Sequence, residues 1–272
     1  MKNAIQFLPI KGLPMIAPGD DLGKLICEVL ANEGEQPQDG DILAVAQKIV
    51  SKSEGRLINL AAIEPSPRAM EIAPIVAKDP RHVEVILRES REVIWVSPGI
   101  FVVETLQGYV CANAGVDRSN IAQPEGNPED EWVCLLPVDS NASAARLRSR
   151  IKALTGAEVA VVINDTHGRP FRMGGVGVAL GLAGFEGLAD QRGQSDLFGY
   201  RLQATQTAVG DELASAASLI MGQASEATPA VLIRGLTYHT PEPDPGATSL
   251  VRPKDKDVFR YPPGSERWRN QG

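Results

Sequence analysis

The sequence predicts a mixed α/β (α+β) fold, on three observations. Apolar residues recur at helical spacing in several segments, whereas other segments are short, apolar and rich in β-branched residues, as strands are. The two kinds of segment do not alternate strictly, which argues against a doubly wound sheet. No internal repeat is visible, and 272 residues suffice for one large domain or two small ones.

The first third of the chain is predicted to contain both kinds of element. A short strand opens the chain, and a helix follows over 22–34, with Asp20 or Asp21 as its N-cap and Gly34 as its stop. A second strand starts at Ile42 and carries polar groups at its far end. The next predicted elements are helices near 66–77 and 80–89 and a set of strands within 92–115 that "SPG" and "QG" turns join.

The remaining elements are predicted in the same way. An acidic loop covers 122–131, and a nearly continuous apolar strand over 158–165 has the pattern of one that is buried on both faces. The small residues of "GGVGVALG" (174–181) predict a tightly packed helix. The other elements are a strand at 132–138, a helix at 140–156, a helix at 208–224 and a strand at 229–236. A domain over 1–238, which could divide into two subdomains, then gives way to a proline-rich, charged tail over 239–272, either mobile or draped on the body.

Composition excludes several classes of protein. The net charge of −7 argues against a general nucleic-acid binder, although it leaves room for a small anionic ligand in a locally basic site. No apolar stretch reaches the roughly 20 residues of a membrane span, and the N-terminus does not have the pattern of a signal peptide. Three cysteines, which cannot all pair, fit a reduced, cytoplasmic setting.

The clearest local pattern is "VAVVINDTHGRPFRMGG". A buried strand is predicted to end in Asp165 and Thr166, and a loop then presents Arg169 and Arg172. A carboxylate and a hydroxyl at a strand end suit Mg²⁺ bound to a phosphate chain, and guanidinium groups suit oxyanions. The alternative is an Asx-turn, in which Asp165 caps its own loop. His167, a single histidine beside a carboxylate, does not make a zinc site.

"CANAGVDRSN" (111–120) repeats this arrangement. Small residues follow a strand and lead to Asp117 and Asn120, so Asp117 could provide a second carboxylate for the same metal site while Asn120 hydrogen-bonds a phosphate or a sugar. The alternative is a turn that these two side chains stabilise.

Lys48 and Lys52 are spaced so that both point to one face if the strand from Ile42 persists. Two ammonium groups on one face are compatible with a polyphosphate between them, or with a solvated edge strand. The sequence contains no P-loop, GxGxxG, GxSxG or HExxH pattern.

Together these stretches resemble one family, the coenzyme F420:L-glutamate ligases (gamma-glutamyl ligases). The resemblance covers roughly residues 10–236, in order. It runs through "KGLPMIAPGDDL", "DGDILAVAQKIVSKSEGR", "KDPRHVEVILRES", "CANAGVDRSN", "LLPVDSNASAARLR", "INDTHGRPFRMG" and "GDELASAASLIMGQASEATPAVLIRG". Ordered matches of this kind are more specific than any single motif.

The resemblance implies a family-specific fold, an intertwined homodimer and a GTP-dependent ligase with two divalent ions, Mg²⁺ or Mn²⁺; K⁺ is a further candidate ion. One metal would be bound by Asp117 and Asp165, and the other by Thr166 and Gln223. At His167 the family commonly has an aromatic residue. The residues implied to contact GTP are Leu13, Pro14, Met15, Ile16, Gln47, Lys48, Lys52, Asn120, Gly222, Gln223, Ala224, Ser225, Glu226, Ala227, Thr228 and Pro229.

The implied reaction joins L-glutamate to the phospholactyl carboxylate of the deazaflavin precursor F420-0 and then adds further γ-linked glutamates. GTP would convert the carboxylate to an acyl phosphate, which the glutamate amine attacks, so that the protein need supply no nucleophile. We infer from the residues that Arg169 and Arg172 bind the acyl phosphate or the glutamate carboxylates. The rival interpretations are a metal-dependent phosphatase or other hydrolase that uses the two aspartates, and a non-catalytic binder of nucleotide or deazaflavin.

Overall fold

The computed structural model describes residues 4–121, 131–257 and 259–260. The strands are β1 (Gln6–Ile10), β2 (Ile42–Ala46), β3 (Leu57–Asn59), β4 (Ser90–Ser97), β5 (Ile100–Thr105), β6 (Val110–Ala112), β7 (Trp132–Cys134), β8 (Ala160–Arg169), β9 (Arg172–Ala183), β10 (Ala189–Asp190), β11 (Gln206–Thr207) and β12 (Ala230–Arg234). The α-helices are α1 (Leu22–Asn32), α2 (Gln47–Ser53), α3 (Pro67–Val76), α4 (Pro80–Arg88), α5 (Ser140–Thr155) and α6 (Val209–Met221). The predicted mixed α/β class is confirmed.

A five-stranded sheet in the order β1-β12-β2-β8-β9 forms the centre of the structure. Its strands pair antiparallel except β2 and β8, which run parallel with Ala46 opposite Asn164. Alternate residues of β2 enter two cores: Leu43 packs with α1 and α5 on one face, whereas Ile42 packs with α6 on the other. Burial on both faces explains why the central strands are almost wholly apolar.

The second lobe comprises α3, α4, the β3–β7 pair and the β4-β5-β6 sheet. It has its own core, in which Phe101 and Val103 of β5 pack with Ile86 of α4 and Leu135, just after β7. The same core contains Val116, the residue before Asp117, so this lobe fixes the position of the predicted metal-binding turn.

Local signals at the helix ends are confirmed. Asp21 caps α1 by accepting a hydrogen bond of 3.1 Å from the Lys24 backbone, and Gly34 follows the helix at a φ of 77°. Asp139 caps α5 in the same way, and Gly156 ends that helix in the left-handed conformation. Such caps satisfy the backbone groups that a helix leaves free at its ends.

The strand from Ile42 does not persist as far as the two lysines. The strand stops at Ala46 and the chain enters α2, a helix whose Ile49 and Val50 are buried while Lys48 and Lys52 lie one turn apart. A spacing of four residues places two side chains on one face in a strand and in a helix alike. The spacing therefore predicted the shared face but could not distinguish the two structures.

The helix predicted for "GGVGVALG" is wrong, because these residues belong to β9. Their small size allows close packing, as expected, but the packing is that of helices α5 and α6 against a strand of the sheet. A Cβ atom on Gly177 would lie 2.4 Å from the carbonyl oxygen of Ala214 in α6, and one on Gly181 would lie 2.2 Å from that of Ser140 in α5. The predicted loop after Thr166 is likewise a hairpin, because β8 continues to Arg169 and β9 begins at Arg172.

Part of the predicted tail is draped on the body. Ala247 is fully buried, its backbone N–H donates to Asn141 of α5 at 2.8 Å, and Asp244 accepts a bond of 2.6 Å from the backbone of Gly184. Residues 261–272, like most of the predicted acidic loop 122–131, lie outside the described residues, and the domain boundary at 238 stays a prediction.

Cys27, Cys111 and Cys134 are free thiols, and the cytoplasmic setting that they suggested stays a prediction. In the part of the chain that the structure describes, no helix has the length and hydropathy that a membrane crossing requires.

We expect Gly177→Ala to lower the free energy of unfolding by about 1–3 kcal/mol, because the added methyl group has to displace backbone of α6. Gly168→Ala is the matched control, since an added Cβ there meets no atom within 4 Å and the residue lies in the same hairpin. Urea denaturation of both variants measures the difference. Equal stability of the two variants would contradict the close approach of α6 to β9.

Candidate functional site

A cavity of about 640 Å³ opens beside the C-terminal end of β2, where the neighbouring parallel strand β8 continues through Asp165. Because β2 and β8 are parallel and adjacent, the segment after Ala46 and the segment after Asn164 meet here. The first is α2, with its two lysines, and the second is the continuation of β8 through Asp165. Two segments more than 100 residues apart are thus brought to one wall.

The other walls come from three loops: the turn after β6, the loop between β1 and α1, and the segment between α6 and β12. Every predicted nucleotide-binding and metal-binding residue lines this cavity. They are Leu13, Pro14, Met15, Ile16, Gln47, Lys48, Lys52, Asp117, Asn120, Asp165, Thr166, Gly222, Gln223, Ala224, Ser225, Glu226, Ala227, Thr228 and Pro229.

Arg169 and Arg172 do not line the cavity. Because β8 continues as a strand, Arg169 lies four residues beyond Asp165, or about 13 Å along the strand at 3.3 Å per residue. Its guanidinium is 3.5 Å from the carbonyl oxygens of Met173 and Gly174, and Arg172 is exposed. The structure therefore separates these arginines from the predicted metal-binding residues.

Some lining residues were not predicted individually. Ser119 and Asn164 lie next to predicted residues, and Ser218 lies on α6. The side-chain amide nitrogen of Asn164 donates to Ser218 Oγ at 2.9 Å, while the side-chain oxygen, Oδ1, is buried and has no hydrogen-bond partner. The residue type of Ser218 gave no signal, because a serine within an apolar helix is ordinary. Ser218 lines the cavity because α6 packs against β8.

An ion pair crosses the cavity between the two lobes. Lys48 Nζ lies 2.5 Å from Asp117 Oδ2 and also donates to the carbonyl oxygen and the hydroxyl of Ser119, at 2.7 and 2.8 Å. The other carboxylate oxygen, Asp117 Oδ1, accepts backbone N–H bonds from Arg118 and Ser119. The turn suggested as the alternative role of Asp117 is therefore present, and the same residue still directs its second oxygen into the cavity.

Charge and burial shift the pKa values of Asp117 and of the second lysine, Lys52. Burial raises the pKa of Asp117, but Lys48 and the hydrogen bonds from Ser119 more than offset it, so that the pKa lies below its ordinary value. Burial lowers the pKa of Lys52, as does the charge of Lys48, against an opposing effect of Cys134. The carboxylate is thus kept ionised, in the form that binds cations.

Asn120 closes the site across to the segment after α6. Its backbone is left-handed, with a φ of 52°, and its carbonyl oxygen accepts a bond of 2.7 Å from Lys52 Nζ. Its side-chain amide donates to the carbonyl oxygen of Ala224 at 3.0 Å. Asparagine tolerates the left-handed conformation better than most residues, which accounts for its use at this turn.

The continuation of β8 presents further oxygen atoms to the cavity. Thr166 Oγ1 donates to the side-chain oxygen of Gln223 at 2.8 Å, and Asp165 Oδ2 lies 3.4 Å from His167 Nε2. Among the described residues, no group of three or more His, Cys, Asp or Glu side chains is placed to bind a metal ion. Carboxylate, hydroxyl and amide oxygens form a hard donor set, which suits Mg²⁺ or Mn²⁺ completed by water and phosphate oxygens.

Among the described residues that line the cavity there is no cysteine. Burial raises the pKa of Cys111 to about 12 and that of Cys134 to about 11, so both thiols are protonated near neutral pH. Cationic and anionic groups face one another instead, an arrangement that can hold a polyphosphate and stabilise charge during transfer of a phosphoryl group.

The model of the F420-0:Gamma-glutamyl ligase family matches residues 11–235 of the chain. The chain belongs to this family. It is accordingly a ligase, as the coenzyme F420:L-glutamate ligases similar to it are.

Three relatives named coenzyme F420:L-glutamate ligase illustrate the similarity. The protein of Methanothermobacter thermautotrophicus is 47% identical over 94% of this chain and 99% of its own length. That of Methanopyrus kandleri is 48% identical over 93% and 98%. That of Methanocaldococcus jannaschii is 41% identical over 91% and 94%. The family model, which matches residues 11–235, covers every described residue that lines the cavity.

We expect Asn120→Ala to be less stable than Asn120→Gly by about 1 kcal/mol, because glycine accepts a positive φ and alanine does not. Both variants lose the bond to Ala224, so residues 222–229 should exchange amide hydrogens faster in both. Urea denaturation and hydrogen-exchange mass spectrometry separate the two effects. Unchanged exchange in residues 222–229 would show that Asn120 does not restrain that segment.

Proposed function

We propose that the chain joins L-glutamate to the deazaflavin precursor F420-0 in coenzyme F420 biosynthesis, with GTP as the activating co-substrate and with later rounds of γ-linked glutamate addition. The observation that carries this proposal is the convergence of all the residues implied to bind nucleotide and metal on one cavity. The family match and the names of the relatives supply the substrate class. They do not favour a phosphatase or a non-catalytic binder.

Shape and charge support GTP as the ligand. Leu13 and Ile16 are held against the main core, while Met15, 73% exposed, offers an apolar surface on which a guanine can lie. Lys48 and Lys52 enter the same cavity from α2 and suit the phosphate chain. A volume of about 640 Å³ is in the range of pockets that take ligands of nucleotide size.

Two divalent ions fit the donor set, Asp117 and Asp165 for one and Thr166 and Gln223 for the other. The bond between Thr166 and Gln223 already brings two ligand oxygens to within 2.8 Å. When bound, Mg²⁺ or Mn²⁺ supplies the positive charge that neutralises phosphate oxygens. K⁺ stays a further candidate ion.

In the proposed reaction an oxygen of the phospholactyl carboxylate attacks the γ-phosphorus of GTP and GDP leaves, which gives an acyl phosphate. The amine of L-glutamate then attacks the acyl carbon and inorganic phosphate leaves, so that an amide forms. The protein positions the reactants and neutralises charge, which is most of what phosphoryl transfer demands. The place of Arg169 and Arg172 outside the cavity fits binding of glutamate carboxylates better than contact with the acyl phosphate.

Reconstitution tests this function. Purified protein is incubated with GTP, Mn²⁺, L-glutamate and F420-0, and the products are analysed by mass spectrometry. We expect the deazaflavin to gain one or more glutamyl units while GDP forms. Phosphate release that needs neither glutamate nor deazaflavin would instead identify a phosphatase, and tight GTP binding without turnover would identify a binder.

We expect Asp117→Asn and Asp165→Asn each to lower the rate of glutamyl transfer by at least about a hundredfold, since each removes a metal ligand. Asp190→Asn is the control, because Asp190 is an exposed carboxylate that pairs with Arg192 and does not line the cavity. Circular dichroism verifies the fold of each variant. Near-normal rates in both cavity variants would refute the metal assignment.

The predicted homodimer is a further part of the proposal. Two segments expose large apolar side chains: Phe171 and Met173 at the β8–β9 turn are 92% and 98% exposed, and Leu197 and Phe198 are 97% and 95% exposed. Apolar surfaces of this kind mark contacts with other chains.

Light scattering should accordingly give twice the chain mass of 29.1 kDa. The double variant Leu197→Ser with Phe198→Ser should shift the mass toward one chain. Leu154→Ser, a change of an exposed leucine on α5, is the control and should leave the mass as it is. A wild-type mass of one chain would contradict the homodimer.

A further inference from the structure

The ammonium group of Lys48 sits among three oxygen atoms. Its Nζ lies 2.5 Å from Asp117 Oδ2, 2.7 Å from the Ser119 carbonyl oxygen and 2.8 Å from Ser119 Oγ. The Lys48 side chain is 17% exposed, so that little of it faces solvent. Lys52, the other lysine of the cavity, binds differently, with a bond of 2.7 Å to the carbonyl oxygen of Asn120.

The oxygens around Lys48 form a binding position for a cation. Asp117 Oδ1 already accepts the backbone N–H groups of Arg118 and Ser119, at 2.6 and 2.9 Å, whereas Oδ2 accepts the Ser119 hydroxyl at 2.9 Å and can take one further partner. Lys48 takes that oxygen. An ammonium and a divalent ion compete for it, because their charges repel and the Ser119 hydroxyl already uses one of its lone pairs.

We propose that Lys48 occupies the cation position at Asp117 until a triphosphate enters, and that its transfer from Asp117 to the phosphates couples nucleotide binding to metal binding. The inference rests on the proposed function, because it concerns the metal and the nucleotide assigned there. It assigns Lys48 a positioning role on the metal site, in addition to contact with phosphate.

The exchange requires little movement of the fold. Lys48 is on α2, whose backbone is fixed by the burial of Ile49 and Val50, while its four-carbon side chain can rotate without moving the helix. The lysine trades one anionic partner for another, and the freed carboxylate gains the divalent ion. Occupation of Asp117 by Lys48 therefore opposes metal binding in the absence of nucleotide, and nucleotide removes that opposition. By linkage, metal promotes nucleotide binding to the same degree.

The test is Mn²⁺ binding, which electron paramagnetic resonance measures on nucleotide-free protein and again with a non-hydrolysable GTP analogue. Lys48→Met removes the ammonium from Asp117 Oδ2 and leaves there only the Ser119 hydroxyl, so we expect Mn²⁺ to bind about ten- to a hundredfold more tightly than to the wild type without nucleotide, the range of one charge-assisted hydrogen bond. In Lys48→Met the GTP analogue should raise the Mn²⁺ affinity less than it does in the wild type, by a similar factor.

Lys52→Met is the matched control. It removes the same charge from the same helix and cavity, but from a lysine that binds the carbonyl oxygen of Asn120 and not the carboxylate. It should raise the nucleotide-free Mn²⁺ affinity far less than Lys48→Met does. Lys48→Gln is run alongside as a polar variant, and circular dichroism verifies that each variant is folded.

The outcomes separate the exchange from the proposed function. Nucleotide-free Mn²⁺ affinity that Lys48→Met leaves unchanged or weakens, or that Lys52→Met raises as much, would overturn the exchange while glutamyl transfer by the wild type still supports the function. Mn²⁺ binding that is insensitive to Asp117→Asn, with and without the analogue, would overturn both.

Discussion

The site depends on the parallel pairing of β2 with β8. It is the one parallel pairing within the described five-stranded sheet, and it sets Ala46 opposite Asn164. From that register, α2 must begin beside Asp165 and Thr166, and cations from one segment face oxygen ligands from another. A shift of one residue would turn the side chains of β8 to the opposite face of the sheet. Burial of β2 and β8 on both faces holds the register.

Within the described residues, the second lobe contributes to the cavity through a single turn. Asp117 pairs with Cys134 through two backbone hydrogen bonds, of 3.0 and 2.8 Å, which anchor the turn to β7 and to the core below it. From there Asp117 reaches Lys48 and Asn120 reaches Ala224, so the turn bonds both to α2 and to the segment after α6. Polar contacts across the cavity thus link the lobes at the place where ligand would bind, and ligand charge can alter those contacts without altering either core.

Much of this arrangement was predictable because several signals are local. Caps such as Asp21, apolar strands and the order of the matched stretches depend on neighbours in sequence. Local patterns were ambiguous at two places: a four-residue spacing fits α2 as well as a strand, and the glycines around Gly177 fit close packing in either kind of element. The distance of Arg169 from Asp165 was also missed, because it depends on how far β8 runs before it turns, which the pairing with β9 decides.

We propose that carboxylates from the two lobes, Asp117 and Asp165, bind one divalent ion against a triphosphate. The most direct test is a crystal structure with Mn²⁺ and a non-hydrolysable GTP analogue, in which anomalous scattering locates the metal. We expect an anomalous peak about 2.1 Å from oxygens of both Asp117 and Asp165, with a phosphate oxygen completing the coordination. Manganese bound elsewhere, or bound by one of these aspartates without the other, would contradict the claim.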